Sequence, residues 1–223
     1  MRVSSAVWDR AARAVLFCAY AAAVAILLFI IGFVLRTGLP AVTPGFLLGR
    51  IRDMGRSGGI LPTILSTVYI TGLALAIAAP LGIGSAIYLT EYTRTARLAR
   101  VIRFGVECLA GVPSIIFGLF GFVFFVVHLR FGWCVLSGGL TLAAMILPTI
   151  IRTSEEAIKS VPASYREVSY SLGGSRWQTV TRAVLPDAYP GILTGVILSV
   201  GRSVGETAAV IFTAGSSIRT PAS

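Results

Sequence analysis

Apolar residues run along this chain in long blocks, separated by short stretches that hold nearly all the charge. The first block, Ala14 to Leu35, follows Arg2, Arg10 and Arg13 and carries no charged residue. Ala21–Ala23 offer a cleavage site, but the apolar run continues past them and is too long for a signal-peptide core. The pattern predicts an uncleaved first span behind a short cytoplasmic N-terminus, residues 1–13. Later blocks predict spans over Leu61–Tyr88, Phe104–Val127, Phe131–Ile151 and Tyr189–Ala214, each near the ~20 residues that cross a bilayer. The fold class is therefore all-α: a polytopic bundle of five spans in a single transmembrane domain, residues 14–223.

Proline and glycine mark the blocks. Pro80, Gly82 and Gly84 predict a kink and close helix contact in the second span. Gly111, Pro113 and Gly118 either break the third helix, as pathway-lining helices are broken, or let a neighbour pack closely. Gly191, Gly195, Ser199 and Ser203 form a small-residue stripe at four-residue spacing, for packing within the chain or against a partner. Thr37–Gly59, with Arg50, Arg52, Asp53 and Arg56, reads as an external loop. Glu91, Arg94, Arg97, Arg100 and Arg103 read as a short basic loop, with Glu107 pairing Arg103 one turn on. His128 falls at the external end of the third span.

The longest polar stretch between spans is Thr153 to Pro186. Thr153 with Glu156 makes a capping box, which predicts a helix start. Pro162 suits the first turn of a second helix. Gly173 and Gly174 can close it in the left-handed conformation. Ser175 with Gln178 is another capping box, opening a third short helix. Tyr165, Val168 and Leu172 fall on one face of the second helix. The result is a helical hairpin with an apolar ridge and a basic rim. By pattern alone it is an ordinary loop with short helices or a docking surface.

Spacing decides between these. Glu167 opens a three-residue unit, Gly173 follows after three more residues, and Leu185-Pro186 lie twelve and thirteen residues beyond that glycine. This resembles the EAA loop of ABC importer permease subunits. Val168 and Ser169 stand where that family usually has two alanines, and Ala183 where it often has isoleucine. Three more stretches extend the resemblance: Pro80–Tyr92 (PLGIGSAIYLTEY), Leu109–Gly121 (LAGVPSIIFGLFG) and Gly201–Gly215 (GRSVGETAAVIFTAG). Together they resemble the PstA-type permeases of phosphate importers, whose sister type PstC shares much of the pattern. The resemblance implies a type I importer permease fold. It implies that Tyr165, Glu167, Val168, Leu172, Gly173, Leu185 and Pro186 form or support the surface that docks on an ATP-binding subunit. It also implies a second permease subunit, an external phosphate-binding protein and phosphate as substrate. That family has a sixth span, which this sequence, ending at Ser223, does not include.

Composition narrows the function class. Mean hydropathy is +0.86 and 13% of residues are charged, too apolar for a soluble domain of this size. The net charge of +10 raises nucleic acid as a ligand, but the arginines cluster beside the spans, as membrane orientation requires. No nucleic-acid partner is expected; membrane lipid is. Twelve basic residues (Arg2, Arg10, Arg13, Arg94, Arg97, Arg100, Arg103, Arg152, Lys159, Arg166, Arg176, Arg182) fall on the side of the hairpin and the N-terminus, against six on the other (Arg36, Arg50, Arg52, Arg56, Arg130, Arg219). The basic excess places the hairpin in the cytoplasm of a plasma or inner membrane, independently of the family resemblance. Cys18, Cys108 and Cys134 are isolated, with no metal-ligand spacing. No Gly-x-x-x-x-Gly-Lys-Ser/Thr occurs, so no cofactor is expected on this chain, and the resemblance implies that ATP with magnesium belongs to a partner.

Arg202 and Glu206 are the candidate substrate-pathway residues. Arg202 sits about a dozen residues into the fifth span, ~18 Å along its axis, where a lone arginine costs about 2.5–3.5 kcal/mol. Glu206, four residues on, can pair with it. One reading is a structural ion pair. The other is a guanidinium that binds phosphate through two parallel hydrogen bonds, with Glu206 as its gatekeeper. Competing functions are a permease for another oxyanion, such as phosphonate or sulfate, a gradient-driven secondary transporter, and a membrane scaffold without transport. An enzyme is not expected, because the spans hold no nucleophile–base pair or metal cluster.

Overall fold

The computed structural model describes residues 5–52, 57–93 and 95–215. Arg2, Asp53, Arg56, Arg94 and Arg219, which enter the charge count, lie outside these. The chain divides into two units, Met1–Leu61 and Pro62–Ser223. In the first, α1 (Ser5–Gly38) is apolar all round after its opening turns, as a membrane span is. Asp9 accepts from Arg13 one turn on. A short helix, α2 (Pro44–Leu48), starts where the Thr43 Oγ1 accepts the Phe46 N–H at 3.2 Å. Strands β1 (Ile51–Arg52) and β2 (Ser57–Gly58) pair antiparallel, Ile51 opposite Gly58. The predicted external loop thus holds a turn of helix and a short antiparallel strand pair.

The second unit is built on α6 (Val135–Ser160). Leu142, Met145, Ile146 and Ile150 on α6 are all at most 1% exposed. In lipid, helices do not gain from leaving water, so close van der Waals contact must hold them together, and small residues supply it. Helix α3 (Leu61–Ile87) brings Gly82 onto the side chain of Ile150, and Gly139 of α6 receives Leu73. Helix α9 (Leu185–Val204) lays Gly191 on Ala157 and Gly195 on Thr153, with Ser199 and Ser203 buried below them. The small-residue stripe therefore packs within the chain. Helix α5 (Ser114–Gly121) places Gly121 on Thr141, and Gly118 on the backbone of Ala209 in α10 (Ala208–Ala214).

Four helical runs are long and apolar enough to cross a membrane: Trp8–Ala41, Leu61–Tyr92, Val135–Ser160 and Arg176–Val204. A fifth is a bent pair, Ala96–Ala110 with Ser114–His128, at 98°. Three sequence expectations change here. The third span is not one helix: α4 (Ala96–Ala110) already includes Arg97, Arg100 and Arg103, so the basic loop is helical, and Pro113, without an N–H, forces the turn into α5. Thr153 opens no helix. Ile150 and Ile151 continue the buried face of α6, so Thr153 lies mid-helix and its hydroxyl donates back to the Thr149 carbonyl at 2.9 Å. The fifth span is not Tyr189–Ala214. It starts at α8 (Arg176–Thr179), passes a widened turn at Val180–Val184 and ends at Val204. The widened turn precedes Pro186, which has no N–H for the preceding carbonyls.

Candidate functional site

The hairpin helix, α7 (Ala163–Ser171), is set by local chemistry at both ends. Pro162 stands at its N-cap. At the other end Gly173 adopts φ +79°, and the N–H groups of Gly173 and Gly174 reach back to the carbonyls of Tyr170 and Ser169, both at 2.9 Å. This pattern closes a helix with a left-handed residue, which glycine adopts without penalty. The Ser175–Gln178 capping box forms as predicted: the Gln178 side chain accepts the Ser175 N–H at 2.8 Å, and the Ser175 hydroxyl accepts the Gln178 N–H at 3.3 Å. It opens the long run into α9 rather than a separate short helix.

Helix α7 buries none of its own residues. Tyr165, Val168 and Leu172 are 46, 60 and 84% exposed, so the predicted ridge points away from the bundle, with Glu167 exposed beside it. Leu185 instead packs against the cluster of Ile158, Val161 and Val184, and Pro186 is exposed at the first turn of α9. The seven predicted docking residues thus divide. The ridge and Glu167 present a surface, Gly173 ends the helix that carries it, and Leu185 with Pro186 mark where the chain enters the bundle.

Arg166, next to Glu167, holds this helix in place, and it was not among the predicted site residues. Its guanidinium donates to the Glu91 carboxylate through Nε at 3.1 Å and Nη2 at 2.6 Å. It also donates to the carbonyls of Val161 and Ile158, both at 3.0 Å, at the end of α6. The Glu91 side chain is only 8% exposed. Next to it, the Arg176 guanidinium lies 5.7 Å from the Tyr92 ring centroid. The Ser169 and Thr179 hydroxyls share a hydrogen bond of 2.8 Å. The hairpin is therefore fastened to the end of the second span, at Glu91 and Tyr92 of the motif Pro80–Tyr92. The one sequence signal was an acidic residue directly after an apolar span and ahead of four arginines.

A second charged set ties α4 to α6. Glu155, 5% exposed, accepts from Arg103 and Lys159, both at 2.6 Å. Arg152 reaches Glu107 at 3.4 Å. The expected pair of Glu107 with Arg103 does not form, because the neighbouring helix offers each a partner. His128 ends its helical run with its ring stacked on Phe124 at 5.9 Å.

Arg202 and Glu206 are not paired. Helix α9 ends at Val204, with the Gly205 N–H on the Gly201 carbonyl at 3.2 Å. Glu206 therefore leaves the helical register that would bring it over Arg202. Its carboxylate turns forward and accepts the Ala209 N–H at 3.4 Å, at the start of α10. Arg202 is exposed in the last turn of α9. Among the described residues it makes no hydrogen bond or ion pair. A cation there faces the negative end of the helix dipole, which stabilises it modestly.

A family model described as the binding-protein-dependent transport system inner membrane component matches residues 78–222. The chain belongs to this family. The matched part of this permease runs from the middle of α3 through α7 and α10. The chain is 36% identical over 191 residues to the probable ABC transporter permease protein YqgI of Bacillus subtilis, covering 86% of this chain and 65% of that one. It is 42% identical over 159 residues to the phosphate transport system permease protein PstA 1 of Mycobacterium tuberculosis H37Rv, covering 71% and 51%. The PstA of Pasteurella multocida is 36% identical over 179 residues, covering 79% and 63%. The chain thus spans between half and two thirds of the length of these relatives. Among solved structures, an inward-facing MetNI methionine ABC transporter aligns with TM-score 0.55 at 24% identity, over 66% of this chain and 68% of that one. That likeness concerns the fold, an importer-permease bundle.

Proposed function

We propose that this permease is one membrane subunit of an ATP-driven importer of inorganic phosphate. The observation that carries the reading is a solvent-facing apolar ridge on a clamped helix: Tyr165, Val168 and Leu172 are exposed while Arg166 beside them is fixed by four hydrogen bonds. Exposed large apolar side chains on a rigid polar support suit a docking partner. A separate ATP-binding subunit is that partner, and the excess of basic residues puts the ridge and the N-terminus on the cytoplasmic side. A second permease subunit and an external phosphate-binding protein complete the assembly. ATP and magnesium act on the ATP-binding subunit.

The names of the relatives support phosphate as the substrate. Arg202 is the candidate transient contact, since its guanidinium is permanently charged and suits two parallel bonds to a phosphate. Glu206 holds the break below it by capping α10. The test is labelled-phosphate uptake in cells lacking their own phosphate permease pair, expressing this chain with its partner subunits. Arg202→Ala should abolish uptake while phosphate-binding-protein-stimulated ATP hydrolysis persists. Leu172→Asp should abolish both at unchanged membrane level. Normal uptake with Arg202→Ala sinks the pathway assignment. Uptake of sulfate or phosphonate that outcompetes phosphate sinks the substrate assignment.

A further inference from the structure

Helix α4 carries a face that the transport reading leaves unused. Its packed side holds Ala99 and Val106, 6 and 8% exposed. Away from that side Val101 and Phe104 are both 67% exposed, and Leu98 and Leu109 on the flank are both 45% exposed. Arg97 is exposed at the N-terminal end of this stripe and Arg100 beside it, and among the described residues neither has a hydrogen bond or ion pair.

The level of α4 in the bundle follows from its ion pairs. Arg103 meets Glu155 at 2.6 Å and Glu107 meets Arg152 at 3.4 Å. That end of α6 bears Arg152, Glu155, Glu156 and Lys159 within eight residues, a density of charge that the hydrocarbon core does not accept. Helix α4 therefore sits at the membrane boundary. It is also bent 98° from the helical run that follows it, so when that run crosses the bilayer, α4 lies along the surface. A helix with an apolar stripe and arginines at its edge, held at that depth, has the form of an interfacial helix.

We infer that the exposed face of α4 is a binding surface for anionic phospholipid, with the apolar stripe in the acyl boundary and Arg97 and Arg100 on headgroup phosphates. The choice of lipid rests on charge complementarity. Two guanidiniums without a partner among the described residues, each able to hold a phosphodiester through two hydrogen bonds, adjoin an apolar stripe at headgroup depth.

The test measures lipid bound to the full chain by native mass spectrometry, with phosphatidylglycerol or phosphatidylcholine added in equal amounts. The chain should prefer phosphatidylglycerol. The preference should fall about fivefold for each arginine removed, about twenty-five-fold in Arg97→Gln/Arg100→Gln, and should persist in Arg97→Lys/Arg100→Lys. Equal binding of the two lipids, or a preference untouched by the glutamine pair, overturns the inference. So does displacement of the lipid by millimolar inorganic phosphate, which would make this a site for the free anion. A second measurement does not depend on those variants folding. A nitroxide on Cys108, which lies one turn beyond Phe104, is read in vesicles with Cys18 and Cys134 changed to serine. It should sit at the headgroup–acyl boundary by oxygen and nickel accessibility. A label in water, or one shielded from both reagents by protein, overturns the inference.

Discussion

Removing Glu91 should release the hairpin without unfolding the bundle. Helix α7 has nine residues and none of them is buried, and an isolated helix of that length is unstable in water. What holds it are its caps, the Arg166 clamp and the Ser169–Thr179 hydrogen bond. In Glu91→Ala the guanidinium keeps its two carbonyl acceptors but loses the carboxylate. Truncating one partner of a fully buried pair costs about 3–5 kcal/mol. Arg166 is 22% exposed and keeps the two carbonyls, which lowers the figure to about 2–3 kcal/mol. Arg166→Ala should cost at least as much, since it strands a carboxylate that is 8% exposed. Converted to local opening, about 2–3 kcal/mol is a ~30- to 150-fold faster amide exchange. The assay is hydrogen exchange by mass spectrometry in lipid nanodiscs, comparing peptides over Ala163–Ser171 with peptides over the buried middle of α6. The double variant should exchange no faster than the worse single one. If α7 exchange is unchanged in both single variants, or if α6 accelerates equally, the clamp is not what holds the hairpin.

Two further substitutions probe the supports of that arrangement. Gly195→Ala puts a methyl group into the Thr153 side chain and should cost about 1–3 kcal/mol as overpacking. Thermal unfolding in detergent reads the loss, and adding Thr153→Ala should recover part of it. Gly173→Val forces a β-branched residue to φ +79° and should weaken the end of α7 by about 1–2 kcal/mol, with Gly173→Asn milder. Exchange of the Ser169–Gly174 amides reads that difference.

Much of this permease was legible in its sequence because the relevant rules act over three to five residues. Long apolar blocks marked the spans, though not the break at Pro113 or the start of the fifth at Arg176. Pro162, Gly173 and the Ser175–Gln178 box bounded the hairpin from side chains that bond the adjacent backbone. The ridge of Tyr165, Val168 and Leu172 followed from helical periodicity alone. Where two local signals conflicted, packing decided. Thr153 can cap a helix only if the preceding turn is not helical, and Ile150 and Ile151, buried against neighbouring helices, keep it helical. Arg202 and Glu206 can pair only if the helix runs on past Gly205, and it stops. The ion pairs were out of reach for a different reason. Glu91 lies 75 residues from Arg166 and Glu155 lies 52 from Arg103. A charged side chain among many possible partners takes the one that the packed helices bring within 3 Å, and only the tertiary structure sets which one that is.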